Sequence, residues 1–197
     1  MSELRYPPII GLCGGIGAGK DTVAEMLSSN LGYHSLAIAD LLKAIVAAAF
    51  PWVPRCHFCG TQEEKSGVLF VENGQTWTGR RILEDIGQHF RTVHCDVWIR
   101  AAMMQVDEGV ITGLLPRWVI PGVRHENEFK AIHARGGEVW EVRCIDGPLG
   151  RSDHISDNAW RNLPKDAIIE AMRGDIPGLW KAVMSKAVER GLQRTWN

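Results

Sequence analysis

The chain has almost no surplus of charge. Its 197 residues include 22 Lys and Arg against 23 Asp and Glu, a net charge of −1. Without a basic excess it has no general electrostatic hold on a phosphate backbone, so a nucleic acid polymer is excluded as an expected partner. Long hydrophobic runs are missing as well. The longest, Ala44 to Phe50, is closed by Pro51 and is far shorter than the roughly 20 apolar residues that cross a bilayer, so no membrane association is expected. The first ten residues contain no basic stretch leading into an apolar one, which argues against a secretory leader. There is no internal repeat and no low-complexity tract, which excludes solenoid and fibrous architectures. Cysteines are few and odd in number: Cys13, Cys56, Cys59, Cys95 and Cys144. They form no disulfide framework and read as free thiols in a reducing, cytoplasmic setting. Cys56-His-Phe-Cys59 hints at zinc, but no second ligand pair follows at a suitable distance.

What is present is ordinary globular composition, 45% apolar and 23% charged, enough for one domain with a packed core. The cations are skewed toward arginine, with 15 Arg and 7 Lys. Arginine presents a planar fork that fits phosphate or carboxylate oxygens, so the skew suits a site that gathers phosphates. Eight Trp are many for this length. Most read as core, while Trp52, Trp77 and Trp98 are candidates to stack on a base.

Strand and helix patterns alternate along the chain. Pro8 to Cys13 reads as a buried strand, Gly19 to Asn30 as a helix, Tyr33 to Ala37 as a short strand, and Asp40 to Phe50 as a helix with Asp40 as its cap. Residues 51–76, rich in Pro and Gly, read as loops with a short hairpin around Val68 to Val71. Helices follow at Thr78 to Phe90 and Asp96 to Val106, then a strand at Arg117 to Pro121, a helix at Asn127 to Arg135 and a strand at Glu138 to Arg143. Residues 144–164 read as a long loop or lid. Ala167 to Glu170 gives a last strand, and Pro177 opens a final helix. Such alternation predicts an α/β fold with a parallel sheet flanked by helices in three layers.

The sharpest motif is Gly14-Gly15-Ile16-Gly17-Ala18-Gly19-Lys20-Asp21-Thr22. Its spacing, Gly14-x4-Gly19-Lys20, is that of a phosphate-binding P-loop, and it lies between an expected strand and an expected helix, the context the motif requires. Glycines allow the backbone turns that aim N–H groups inward at phosphate oxygens. The following helix N-terminus favours the anion, and Lys20 places an ammonium on the β- and γ-phosphates of ATP. The position after the lysine usually carries Ser or Thr as a Mg²⁺ ligand. Here it is Asp21, which either faces Mg²⁺ or supports the first turn of the helix, with Thr22 free to reach a phosphate.

The P-loop and five later segments together resemble the phage-type deoxynucleoside monophosphate kinases, P-loop enzymes of the nucleoside monophosphate kinase fold. These segments are Ala39-Asp40-Leu41-Leu42-Lys43; Thr78-Gly79-Arg80-Arg81 through Glu84, Gly87 and Arg91; Asp96-Val97-Trp98; Val119-Ile-Pro-Gly122-Val-Arg124 through Asn127-Glu128; and Asp153-His154-Ile-Ser156-Asp157. The resemblance runs from residue 8 to about 192 and is weakest at 51–76. It implies one P-loop kinase domain over 1–197, with a core at about 8–50 and 115–192, an acceptor-binding insertion at about 51–110 and a lid at about 144–160. It implies ATP as co-substrate, Mg²⁺, and a small-molecule (deoxy)nucleotide as partner. A homodimer is compatible with it, and so is the host cytoplasm if the chain is phage-encoded.

Residue roles follow from the same resemblance. Lys20, Arg124, Arg143 and Arg151 are the candidate catalytic cations, with Arg143 and Arg151 closing over the donor. Asp40, Lys43, Arg81, Glu84, Arg91, Trp98, Arg124 and Glu128 are candidates for the acceptor site, Glu128 orienting Arg124. Asp40 either orients the acceptor or only caps its helix. Three departures stand out: Gly122 replaces the family's Asp, which would support Mg²⁺; Glu84 replaces a Gln; and Gln88 replaces a Thr. Two other activities remain open. One is a dephospho-coenzyme A kinase or another small-molecule P-loop kinase, suggested by Ile10 to Lys20. The other is a nucleotide-binding regulatory module whose catalysis was lost with the middle-strand Asp.

Overall fold

A computed structural model describes residues 7–114, 117–147 and 159–191. The chain forms two compact units, one made of residues 1–38 and 102–197, the other of 39–101.

The first unit is built on five parallel strands: β1 (Ile9–Cys13), β2 (His34–Ser35), β5 (Trp118–Pro121), β6 (Glu138–Cys144) and β7 (Ala167–Ala171). Their order across the sheet is β2-β5-β1-β6-β7, with β1 in the centre. Every pairing is parallel, so each strand must be reached by a crossover, which puts helices on the faces. All five residues of β1 are buried, as a strand covered on both faces requires. On one face Ile10, Leu12, Val119, Trp140, Val142 and Ile169 pack against Val23 and Leu27 of α1 (Lys20–Leu31) and Leu179 and Val183 of the C-terminal helix α8 (Ile176–Glu189). On the other, Gly11 faces Ile132 of α7 (Glu126–His133), along with Val123 and Val139. The three-layer α/β arrangement expected from the alternating pattern is therefore present.

Local signals set the element ends. Gly32, in the left-handed conformation at φ 70°, stops α1 and donates its N–H to the Leu27 carbonyl. Asp175 caps α8 by accepting the Gly178 N–H, with Pro177 in the first turn. The second strand is shorter than its sequence suggested, His34 to Ser35 only. Its neighbours are held by single bonds instead, as from the Leu36 N–H to the Val119 carbonyl.

The second unit holds α2 (Asp40–Ala49), two short helical turns α3 (Cys56–Cys59) and α4 (Gln62–Ser66), a hairpin of β3 (Val68–Glu72) and β4 (Gln75–Thr78), and α5 (Gly79–Val93). The first turn of α6 (Val97–Ile111) completes it. Residues 51–76 are thus more ordered than the loops expected. Thr61 and Glu64 close a reciprocal capping box around α4 that a proline- and glycine-rich composition conceals. The hairpin turns at Asn73-Gly74, both with positive φ, the residue pair such turns favour. Leu42 of α2 packs against Gly87 of α5.

Two tryptophans set the scale of core and surface. Trp140 is fully buried in the sheet core, and its indole N–H donates to Glu138 at 2.8 Å. Trp52 is 72% exposed. Trp140→Ala is expected to lower unfolding free energy by about 3–5 kcal/mol. Trp52→Ala should change it by no more than about 0.5 kcal/mol. Urea denaturation of both variants checks the contrast.

Candidate functional site

The chain leaves β1 at the carboxyl edge of the sheet, where α/β proteins bind ligands. The first residue past the strand is Gly14, with φ 142°. A Cβ there would run into the Val142 carbonyl oxygen on β6, so only glycine lets the loop start this close to the neighbouring strand. Gly17 and Gly19 follow at φ 70° and 94°, in the left-handed region that L side chains rarely adopt. Gly19 is also the cap of α1 and brings no side chain to the amides of its first turn. An anion is their natural partner. Lys20 begins α1 and folds back over the loop. Its ammonium donates to the carbonyls of Gly14 at 3.0 Å and Gly15 at 2.7 Å. Ile16 and Ala18 are half-buried, and Ala18 packs on the core. Asp21 is exposed in the first turn and Thr22 half-buried beside it. Together they offer hard oxygen donors, the kind Mg²⁺ takes.

Cys13, directly before the loop, is buried, and burial pushes its thiol up to about 12. Beside it in the sheet register lies Glu141, a carboxylate that is 7% exposed. The sequence reading missed Glu141, although the alternation in Glu138 to Arg143 places it on one face with Arg143. That arginine was expected to close over the donor. Here its guanidinium grips Glu141 with two bonds, 3.0 and 3.2 Å, and Glu170 with a third at 2.9 Å. Arg143 thus stands near the carboxyl end of β6, already neutralised by two carboxylates. Arg151 lies outside the described residues, as do Asp153, His154, Ser156, Asp157 and most of the expected lid.

Past β5 the chain turns at Gly122, φ 82°, whose N–H and that of Val123 both donate to the Leu12 carbonyl. The space around Gly122 is open, so a side chain would fit, but it would hold a left-handed backbone at a cost of about 1–2 kcal/mol. The turn therefore suits glycine at the position where the resemblance implied Asp. Arg124 is exposed next to it. Glu128, only 1% exposed, fixes this segment: its carboxylate accepts the backbone N–H of Arg124 at 2.7 Å and of His125 at 3.0 Å.

The remaining candidates lie in the second unit. Asp40 is not a cap. Ala39 holds the cap position, and Asp40, the first residue of α2, pairs with Lys43 at 2.9 Å. On α5, Arg81, Glu84, Gln88 and Arg91 recur at three- and four-residue spacing and share one face, opposite Ile82 and Ile86. Arg81 is occupied by its own hairpin. It donates to the Thr76 carbonyl and to Gln75, both at 3.0 Å, and lies 4.6 Å over the Trp77 ring. Trp98 was expected at the acceptor site but is a core residue, 3% exposed, with its N–H bonded to the Gly87 carbonyl. Among the described residues, no third metal-ligating atom joins Cys56 and Cys59; the single such cluster is His94, Cys95 and Asp96.

The name of one curated relative agrees with the resemblance read from the motifs. No family model matches the chain. A protein of Acanthamoeba polyphaga mimivirus named "Putative deoxynucleotide monophosphate kinase" is 27% identical over 198 residues, covering 90% of this chain and 94% of the viral protein. Two solved structures align at a TM-score of 0.48. One is a Thermus thermophilus protein, 20% identical and covering 94% of this chain and 98% of its own. The other is dephospho-CoA kinase from Campylobacter jejuni, 12% identical, covering 93% and 97%.

Two measurements check this geometry. Glu128→Ala leaves two backbone donors without their acceptor and should cost about 2–4 kcal/mol in urea denaturation, with Glu128→Gln losing less. Iodoacetamide at pH 8 should alkylate the exposed Cys56, Cys59 and Cys95 in the folded chain while Cys13 stays unmodified. Peptide mapping reads the pattern.

Proposed function

We propose that the chain is an ATP-dependent phosphotransferase that moves the γ-phosphoryl group of ATP to a (deoxy)nucleoside monophosphate, giving ADP and the nucleoside diphosphate. The observation that carries this reading is the glycine loop at the end of β1. It has left-handed backbone at Gly17 and Gly19, close strand approach at Gly14, and the Lys20 ammonium folded over it. The name of the viral relative, matched along most of both chains, supports the choice of acceptor.

Phosphoryl transfer asks little covalent chemistry of a protein, because the transferring group's charge is spread over several oxygens. Position and charge neutralisation supply the rate. In this reading the amides from Gly14 to Thr22 cradle the ATP phosphates. Lys20 exchanges its two loop carbonyls for β- and γ-phosphate oxygens. Asp21 and Thr22 are the residues that would hold Mg²⁺. When bound, the ion neutralises phosphate charge. Arg143 can turn one arm of its guanidinium from Glu170, half exposed and a weak competitor in water, toward the donor phosphates while the buried Glu141 keeps hold of it. On the second unit, Arg81, Glu84 and Arg91 present one face of α5 to a monophosphate ester, and Asp40 and Lys43 stand at the start of α2. On the first unit, Arg124 is the cation that Glu128 steadies through the backbone. The reaction class needs no nucleic acid polymer and no membrane. Among the described residues, no helix is long and apolar enough to cross one.

The test is a panel in which Mg-ATP is incubated with each common (d)NMP and with dephospho-coenzyme A, and ADP is measured. At least one monophosphate should give ADP and its diphosphate, and Lys20→Ala should lower that rate at least about a hundredfold while the fold is kept. Turnover with dephospho-coenzyme A alone, ATP binding without turnover on any acceptor, or full activity in Lys20→Ala would each overturn the reading.

A further inference from the structure

We infer that Cys56 and Cys59 form a redox-active dithiol, a modification site that closes reversibly to an intramolecular disulfide with a small-molecule or protein disulfide as its oxidant. The two residues are the first and last of α3, both exposed and both free thiols. A helical turn separates residues three apart by about 5 Å between Cα atoms. That lies inside the range of Cα separations that disulfides bridge.

The turn is held in place from both sides. Phe58, between the cysteines, is fully buried and packs on Phe50 at 6.1 Å between ring centres. His57 bonds through Nδ1 to the Glu64 carbonyl at 2.8 Å. The Gly60 N–H closes the turn on the Cys56 carbonyl at 2.8 Å, and the Cys59 backbone N–H donates to the Arg55 carbonyl at 2.9 Å. A Cβ at Gly79 would run into the His57 carbonyl oxygen, so the start of α5 is pressed against the same turn. Phe58 is thus fixed inward while both cysteines are exposed residues, which a second disulfide can reach.

Glu64 adds a neighbour for one thiol. Its carboxylate takes the Thr61 N–H at 2.7 Å, which chiefly holds it below the usual carboxylate range, and it also accepts from the Cys56 thiol. A structural zinc site would need four ligands. Among the described residues Cys56 and Cys59 belong to no group of three converging ligand atoms, and the carboxylate beside them, Glu64, is placed against Cys56, so exchange chemistry is the use their spacing supports.

The step balances as ordinary thiol–disulfide exchange. One cysteine thiolate attacks a sulfur of the oxidant RSSR, the S–S bond breaks, and RS⁻ leaves and takes a proton. The second cysteine thiolate then attacks the first cysteine's sulfur in the mixed disulfide, the S–SR bond breaks, and a second RS⁻ leaves and takes a proton. The pair loses two electrons and two protons, and RSSR becomes two RSH. Reduction by a dithiol runs the same steps backward.

The test uses the full chain incubated with oxidised glutathione, then alkylated and measured intact and after digestion. The expected product is lighter by two hydrogens, monomeric, and carries a Cys56–Cys59 crosslink that dithiothreitol removes. Cys56→Ser should abolish the crosslink, and Cys95→Ser should leave it unchanged. Stable glutathione adducts on both cysteines, a crosslink between chains, full alkylation of both thiols after oxidation, or a retained zinc ion in the native mass would each overturn the inference.

Discussion

The close approach of Gly14 to the Val142 carbonyl governs the rest of the site. It sets where the loop leaves the central strand, and therefore where Gly17, Gly19 and the start of α1 must lie. With no room for a Cβ, the loop wraps tightly enough that Lys20 returns over its own carbonyls. The same approach draws β6 into the site. Glu141 lies in register with Cys13, and Arg143 is held one pleat further on. A single backbone contact thus ties the phosphate cradle to the residues that balance charge around it.

The charge arrangement has a second consequence. Arginine outnumbers lysine in this chain, but several of the arginines are held by local partners. Arg143 sits between two carboxylates, Arg81 bonds the β3–β4 hairpin and covers Trp77, and Arg135 forks onto Asp107 with two 2.7 Å bonds. Such pairs fasten one element of the fold to another. The arginine skew is therefore partly structural. Composition alone could not separate the two uses, because the fork that fits phosphate fits carboxylate equally well.

The parallel sheet, the order of its elements and the P-loop were legible in the sequence, because each rests on local physics. Buried strands read as apolar runs, the Gly-Lys spacing is rigid, and Pro177 and Gly32 mark helix ends. Other features needed the fold. Trp98 turned inward because its N–H found the Gly87 carbonyl eleven residues away, a contact no window along the chain reveals. Asp40 lost the cap to Ala39, a one-residue shift that spacing does not resolve. Glu141 became important only when β6 paired with β1. The order in residues 51–76 rests on a capping box and on glycines packed against backbone, at Gly60 and Gly79. Their signal in the sequence is the same as that of a loop.

The central claim is that the loop from Gly14 to Thr22 holds the phosphates of ATP. Its most direct measurement is amide hydrogen exchange and chemical-shift mapping of the full chain with and without a non-hydrolysable Mg-ATP analogue. The account predicts strong shifts and new protection at Gly14 to Thr22, with Arg143 perturbed as Glu170 gives way to phosphate. Saturating analogue that leaves these amides unchanged, or that perturbs only residues away from the loop, would contradict it.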